Sequence, residues 1–181
     1  MDIFDRILKH RAEEEKLYWS GTFREYVEIV RDNPQVARTA HARVYDMIAW
    51  HGIREENGQR KYNFFEQGIF GLDRTIEKLV EEYFHSAAKR LDVRKRILLL
   101  MGPVSGGKST IVTMLKRGLE QYSRTDEGAV YAIKGCPMQE EPLHLVPPEL
   151  REDVEKELGV KIEGNLCPSC QMRLETEYEG R

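Results

Sequence analysis

The sequence has no long hydrophobic run, little net charge and few cysteines. Its longest purely apolar stretch, residues 97–101, is about a quarter of the length that crosses a bilayer. A net charge of −3 does not attract polyanions, so nucleic-acid binding is not expected. Three cysteines in 181 residues do not fit a secreted disulfide framework, and the N-terminus does not resemble a signal peptide. We therefore expect a cytoplasmic protein that does not bind membranes.

The first part of the chain predicts helices only. An amphipathic helix is expected over residues 3–18, as the first part of a helical segment whose expected role is packing. Thr22 and Glu25 have the spacing of a capping box, so a second helix is expected to begin there. A third helix is predicted over residues 36–50. Residues 1–55 are therefore interpreted as a helical N-terminal segment.

A turn and a regular helical pattern follow. Glu56-Asn57-Gly58-Gln59 has the composition of a tight turn. Asp73 is expected to cap the next helix, whose apolar residues form one buried stripe. That stripe comprises Ile76, Leu79, Val80, Tyr83, Phe84, Ala87, Ala88 and Leu91.

Two apolar runs predict core strands. Residues 97–101 end at a glycine and predict a strand buried on both faces, as in parallel sheets. An amphipathic helix follows, and residues 129–133 predict a second core strand. This order predicts an α/β fold, in which a parallel sheet is flanked by helices and preceded by the helical segment.

A glycine-rich loop joins the first predicted strand to the next helix. Its residues, Gly102-Pro103-Val104-Ser105-Gly106-Gly107-Lys108-Ser109, fit the Walker A pattern Gly-x-x-x-x-Gly-Lys-Ser/Thr at every position. Glycines permit a bend that turns backbone amides toward an anion at the helix N-terminus. We expect Lys108 to reach the β- and γ-phosphates, Ser109 to ligate Mg²⁺ and Thr110 to contact the α-phosphate. The motif predicts a P-loop NTPase fold that binds Mg·ATP.

Five stretches of sequence resemble one family: residues 67–71, 102–109, 134–138, 141–145 and 164–170. With them the chain resembles the N-terminal part of the PrkA-type bacterial serine protein kinases. Residues 69–73, the long helix after them and residues 97–110 resemble the opening of an AAA+ ATPase core. The resemblance spans nearly the whole chain. It implies an ATP-driven core, a homo-oligomeric ring and serine kinase activity on an unknown protein. It also implies that Ile69, Phe70 and Gly71 contact the adenine.

The sequence also departs from that family. An AAA+ enzyme needs a Walker B strand, an apolar run followed by Asp-Glu, to hold Mg²⁺ and polarise the attacking water. No such run follows residue 133. We therefore expect an N-terminal fragment with an incomplete sheet that binds ATP but hydrolyses it poorly alone. Its catalytic residues are not assigned.

Three cysteines and a histidine form a candidate zinc site. Cys136, His144, Cys167 and Cys170 would supply three thiolates and an imidazole, a normal structural zinc set. Zinc would explain how a proline-rich segment with few apolar residues stays ordered. Unpaired reduced cysteines and a redox-active Cys-x-x-Cys pair are the alternatives.

The predicted organisation has three consecutive segments. Residues 1–55 are helical, residues 56–135 are the first part of an AAA+ nucleotide-binding domain, and residues 136–181 are a Pro- and Cys-rich insertion. The leading hypothesis is the ATP-binding portion of a PrkA-like serine protein kinase. The alternative is a nucleotide-gated scaffold that acts on protein partners without phosphorylating them. A small-molecule P-loop kinase is disfavoured, because such kinases carry the loop near the N-terminus.

Overall fold

A computed structural model describes residues 2–15, 17–89 and 98–178, which form mainly helices and irregular segments. The α-helices in this part are α1 (Ile3–Glu15), α2 (Phe23–Asp32), α3 (Ala40–Trp50), α4 (Asp73–Lys78), α5 (Ser86–Ala88), α6 (Lys108–Tyr122), α7 (Arg151–Leu158) and α8 (Pro168–Glu177). A π-helical stretch, Leu79–His85, joins α4 to α5. The strands β1 (Ile53–Glu56) and β2 (Gln59–Tyr62) pair as an antiparallel hairpin. Short 3₁₀ turns cover Pro34–Ala37, Asn63–Phe65, Pro142–Leu145 and Pro148–Leu150.

Helix α1 forms as predicted, but it ends at Glu15 and buries none of its residues. Its apolar side chains Ile3, Phe4 and Leu8 are all exposed. Within the expected helical segment, α2 and α3 instead bury Tyr26, Val30, Met47 and Ile48. Within the described ranges, no helix is both long and apolar enough to span a bilayer.

Side-chain caps define the starts of α2 and α3. The predicted capping box is confirmed, because Thr22 Oγ1 accepts from the Glu25 amide at 3.3 Å and Glu25 Oε2 accepts from the Thr22 amide at 2.6 Å. The third helix begins later than predicted. A 3₁₀ turn occupies Pro34–Ala37, and Thr39 then caps α3 through the Ala42 amide.

The predicted turn at residues 56–59 is confirmed and closes the hairpin. Asn57 and Gly58 have φ angles of 54° and 73°, the left-handed conformations of a type I′ turn. The flanking strands were missed because they are mostly polar and exposed, so no apolar alternation marks them.

The predicted apolar stripe forms much of one core. Ile76, Leu79, Val80 and Phe84 are buried, whereas Leu91 lies outside the described residues. The expected cap was wrong by one position. Leu72 is the N-cap without a side-chain hydrogen bond, and Asp73 lies in the first turn with its carboxylate 3.9 Å from the Lys61 ammonium.

The two predicted core strands are not strands in this structure. Residues 98–101 are irregular: Leu99 and Met101 are 73% and 82% exposed, while Leu98 and Leu100 pack on the core. Residues 129–133 are also irregular. A parallel strand requires hydrogen-bonded neighbours, and the only strands paired within the described residues are β1 and β2. A parallel P-loop sheet is therefore not confirmed, and Ile97 lies outside the described residues.

The described residues divide into two compact units. One unit spans residues 38–130, and the other combines residues up to 37 with those from 131 onward. The core of the first unit contains the helical stripe and Met47, Ile48, Tyr62, Phe64, Phe65, Ile111 and Tyr122. The core of the second contains Tyr26, Val30, Val36, Leu143, Val146, Leu158, Val160 and Ile162. Helix α2 thus packs with residues more than a hundred positions later, a pairing that local patterns do not reveal.

Replacing Gly118 by alanine is expected to destabilise the protein, although alanine normally favours a helix over glycine by about 1 kcal/mol. A β-carbon on Gly118 would lie 2.6 Å from Phe64 Cε2 and 2.7 Å from Met47 Sδ. The phenyl ring cannot yield without moving the core. We therefore expect Gly118→Ala to lower the free energy of unfolding by about 1–3 kcal/mol in chemical denaturation.

The matched control is Arg117→Ala, which truncates an exposed side chain of the same helix. Its effect should stay within about 0.5 kcal/mol. A Gly118→Ala variant at least as stable as the wild type would contradict the close packing.

Candidate functional site

The predicted phosphate loop lies on the surface at the N-terminus of α6. Residues 102–106 are exposed, and Val104 is 95% exposed. Ser109 and Thr110 are also exposed, in the first turn of the helix. The main chain of the loop is therefore accessible to an anion from solvent.

Two residues of the loop have left-handed backbone conformations. The φ angle is 66° at Ser105 and 77° at Gly107. Such a φ is uncommon for a residue other than glycine, and strained conformations of this kind cluster at ligand-binding sites. Helix α6 follows directly, since the Ile111 amide donates to the Gly107 carbonyl at 2.9 Å. The first amides of an α-helix have no acceptor within the helix, so they favour a bound anion.

The ammonium of Lys108 lies over this bend. Its Nζ donates to the carbonyl oxygens of Gly102 at 2.9 Å and of Pro103 at 2.5 Å. Both acceptors are neutral and leave the positive charge available to an anion. The Gly106 amide donates to the same Pro103 carbonyl at 3.2 Å, which closes the bend.

The segment expected to contact the adenine runs beside the loop. A β-carbon on Gly68 would lie 2.9 Å from Met114 Sδ and 3.8 Å from Thr110 Cγ2. A β-carbon on Gly107 would lie 3.6 Å from Leu72 Cδ1. The segment therefore packs against the loop and the first two turns of α6.

The three residues named for base contact have different surroundings. Ile69 is half-buried and packs against the core, Phe70 is 82% exposed, and Gly71 has a left-handed φ of 72°. An exposed phenyl ring next to a phosphate loop offers a surface on which a base can stack. The geometry is compatible with their predicted role.

The structure brings the three cysteines together with a glutamate. Cys136, Glu140, Cys167 and Cys170 each offer one ligand atom, and these atoms all lie within 4.8 Å of one another. The Sγ atoms of Cys136 and Cys167 are 3.8 Å apart. Three sulfur ligands and a carboxylate at such distances can surround one metal ion.

Backbone amides point at two of these sulfur atoms. Cys167 is the N-cap of α8, and its Sγ accepts from the Cys170 amide at 3.4 Å. Burial would raise the pKa of Cys136, but hydrogen bonds from the backbone of Glu140 and Met138, with the neighbouring thiols, outweigh it and lower the pKa. Burial and hydrogen bonds with the other two cysteines raise the pKa of Cys170 to about 12.

His144, the predicted fourth ligand, lies beside this group and not within it. Its Nε2 is 2.7 Å from the Glu163 carbonyl oxygen, so that nitrogen carries the hydrogen. Its Nδ1 is buried, lacks a hydrogen-bond partner among the described residues, and lies 3.6 Å from Glu140 Oε1. Glu140 was missed because no metal-binding pattern distinguishes it from the adjacent Glu141. The only available signal was its spacing, four residues after Cys136 and four before His144.

An exposed Gly-x-x-x-x-Gly-Lys-Ser bend at the start of a helix is the arrangement of P-loop proteins. In addition, the family described as the PrkA AAA domain matches residues 21–181. The chain therefore belongs to the PrkA family and carries its AAA domain.

Proteins similar to this chain have different names. The chain is 64% identical over all 181 residues to the ATP-dependent protease PrkA of Bacillus subtilis (strain 168), of which it covers 29%. It is 32% identical over 105 residues, 55% of the chain, to the serine/threonine kinase YeaG of Escherichia coli (strain K12), of which that match covers 15%. An uncharacterized protein from Geobacillus stearothermophilus is 62% identical over 97 residues, which are 54% of this chain and all of that protein. No solved structure matches the chain.

Gly107 is expected to tolerate asparagine better than alanine. Its φ of 77° is left-handed, and a β-carbon there would meet only Leu72 Cδ1 at an ordinary 3.6 Å, so the cost of substitution is conformational. Gly107→Ala should lower the free energy of unfolding by about 1–2 kcal/mol. Gly107→Asn should lower it by less, because asparagine enters this region more readily. Denaturant unfolding of both variants measures the difference, and equal losses would argue against the left-handed bend.

Proposed function

We propose that this chain binds Mg·ATP on the loop of residues 102–109 and serves as the ATP-binding part of a PrkA-type serine protein kinase. The observation that carries this proposal is the exposed bend at the start of α6, with the Lys108 ammonium over the carbonyls of Gly102 and Pro103. Membership in the PrkA family supports it, because an AAA domain implies nucleotide binding.

Each part of the loop has a role in this proposal. The amides at the start of α6 hold the phosphate oxygens, and the positive end of the helix dipole favours their charge. Lys108 exchanges its two neutral carbonyl partners for phosphate oxygens, which are stronger acceptors for an ammonium. Ser109 would ligate the magnesium ion, and the bound ATP would supply the phosphoryl group.

The names of the relatives differ in the reaction. One is called an ATP-dependent protease and another a serine/threonine kinase. Both names indicate action on proteins, so we propose a protein as the target. We also propose the homo-oligomeric ring that the family resemblance implies. The protease name, carried by a relative 64% identical over the whole chain, favours a second candidate function. In it, ATP binding gates action on protein partners without phosphorylating them.

Transfer of labelled phosphate separates the two candidates. A longer protein that contains this chain should transfer the γ-phosphate of ATP to serine residues of a protein mixture, and Lys108→Ala should abolish the transfer. ATP binding without any transfer would favour the gated module.

The sequence contains no apolar run ending in Asp-Glu, so residues 1–181 alone should hydrolyse ATP at a near-background rate.

Lys108→Ala should weaken Mg·ATP binding by about 10- to 100-fold, because a charged hydrogen bond contributes about 1.5–3 kcal/mol. Isothermal titration calorimetry measures the affinity. Lys116→Ala is the matched control, since Lys116 is exposed on the same helix two turns further on. Unchanged affinity in Lys108→Ala, or an equal loss in Lys116→Ala, would contradict the assignment.

Phe70→Ala should weaken ATP binding by about 2- to 10-fold through loss of base stacking. It should leave the affinity for inorganic tripolyphosphate unchanged, because that ligand has no base. The thermal stability should also stay unchanged, since Phe70 is 82% exposed. Val130→Ala, another exposed apolar truncation in this unit, is the control. Equal losses of affinity for ATP and tripolyphosphate would show that Phe70 affects the shape of the loop and does not contact the base.

A further inference from the structure

We propose that Cys136, Cys167, Cys170 and Glu140 form a structural zinc site in which Glu140 is the fourth ligand and His144 positions its carboxylate. This site does not depend on the proposed binding of ATP by the loop of residues 102–109.

The distance between two of the sulfur atoms matches that of a zinc site. Zinc–sulfur bonds of about 2.3 Å in a tetrahedron place two ligand sulfurs about 3.8 Å apart. The Sγ atoms of Cys136 and Cys167 are 3.8 Å apart, and all four ligand atoms lie within 4.8 Å of one another. Thiolates prefer soft or borderline metals, and a set of four protein ligands leaves no open position, as in structural zinc sites.

A hydrogen bond from the main chain orients one of the sulfur atoms. The Cys170 amide donates to Cys167 Sγ at 3.4 Å. Outer partners of this kind orient metal ligands.

Glu140 is held at the centre of the group. Its Oε2 accepts from the Cys167 amide at 2.7 Å, which links the turn after Cys136 to the start of α8. His144 lies beside this carboxylate, because Nδ1 faces Glu140 Oε1 at 3.6 Å while Nε2–H remains on the Glu163 carbonyl. The buried Nδ1 has no hydrogen-bond partner among the described residues, and the Glu140 carboxylate is the group that it faces.

The proposed zinc ion anchors α8. Of the residues in this helix only Cys170 is buried, so apolar contacts contribute little to holding it. Metal ligation by Cys167 and Cys170 supplies the missing attachment to the turn at Cys136, and metal binding of this kind stabilises the fold directly. Zinc removal is therefore expected to release α8 and lower the melting temperature.

Metal analysis tests the site. The chain, produced with trace zinc only and purified under reducing conditions, should contain about one zinc per molecule by mass spectrometry. Cys170→Ser and Glu140→Gln should each lower the zinc affinity by at least about tenfold in competition with a chromophoric chelator. Ser169→Ala and Glu175→Gln, on the same helix, should match the wild type. Less than about a tenth of a zinc per chain, or a Cys136–Cys167 disulfide in its place, would overturn the proposal.

X-ray absorption at the zinc edge distinguishes the fourth ligand and remains informative if a variant fails to fold. The wild type should show three sulfur ligands and one oxygen, without the outer-shell scattering of an imidazole. His144→Gln should keep three sulfur ligands while its zinc affinity falls by about 10- to 100-fold, the usual effect of losing an outer-shell partner. Imidazole scattering, or full zinc affinity in Glu140→Gln, would overturn the role of Glu140.

Discussion

The arrangement of the candidate nucleotide site depends on the start of α6. A helix begins with amides that have no acceptor within the helix, and this chain places them on the surface after a bend through left-handed Ser105 and Gly107. One face of the same helix packs in the core, with Ile111, Gly118 and Tyr122 buried. Gly118 lacks a side chain and lies close to Met47 and Phe64, so the helix that begins at the loop is packed closely there. The loop therefore has exposed amide donors and is attached to a helix that packs in the core.

The two units are stabilised in different ways. Residues 38–130 contain a core built around the helical stripe, with Val80, Met47 and Ile48 fully buried. In the other unit apolar contacts join α2 to the segment that includes Leu143 and Leu158, but α8 buries only Cys170. A segment that buries so little apolar surface needs another source of stability, and the proposed binding of zinc by the cysteine–glutamate group would supply one.

Family membership and the chemical groups at the site give different kinds of information about the reaction. The chain belongs to the PrkA family, and relatives in that comparison are called a protease and a kinase. The two names differ in the bond that is changed, and one of them includes ATP dependence. A fold does not specify the reaction, which depends on groups at the site.

The sequence by itself determined features that depend on neighbouring residues. The glycine-rich loop, the Thr22–Glu25 capping box and the Asn57-Gly58 turn each result from backbone preferences and hydrogen bonds within a few positions, so their residue types predict them. The apolar pattern also located the stripe that contains Val80, because helical spacing alone places those residues on one face.

Only the tertiary structure decided features that depend on distant residues. Whether residues 98–101 form a strand depends on a hydrogen-bonded neighbour, and their apolar composition does not supply one. The packing of α2 with residues after 131, and the choice of Glu140 over His144 in the cysteine group, depend on contacts between separate parts of the chain. Local preferences do not encode such contacts. The contacts are selected when the folded chain brings distant groups together, buries them and satisfies their hydrogen bonds.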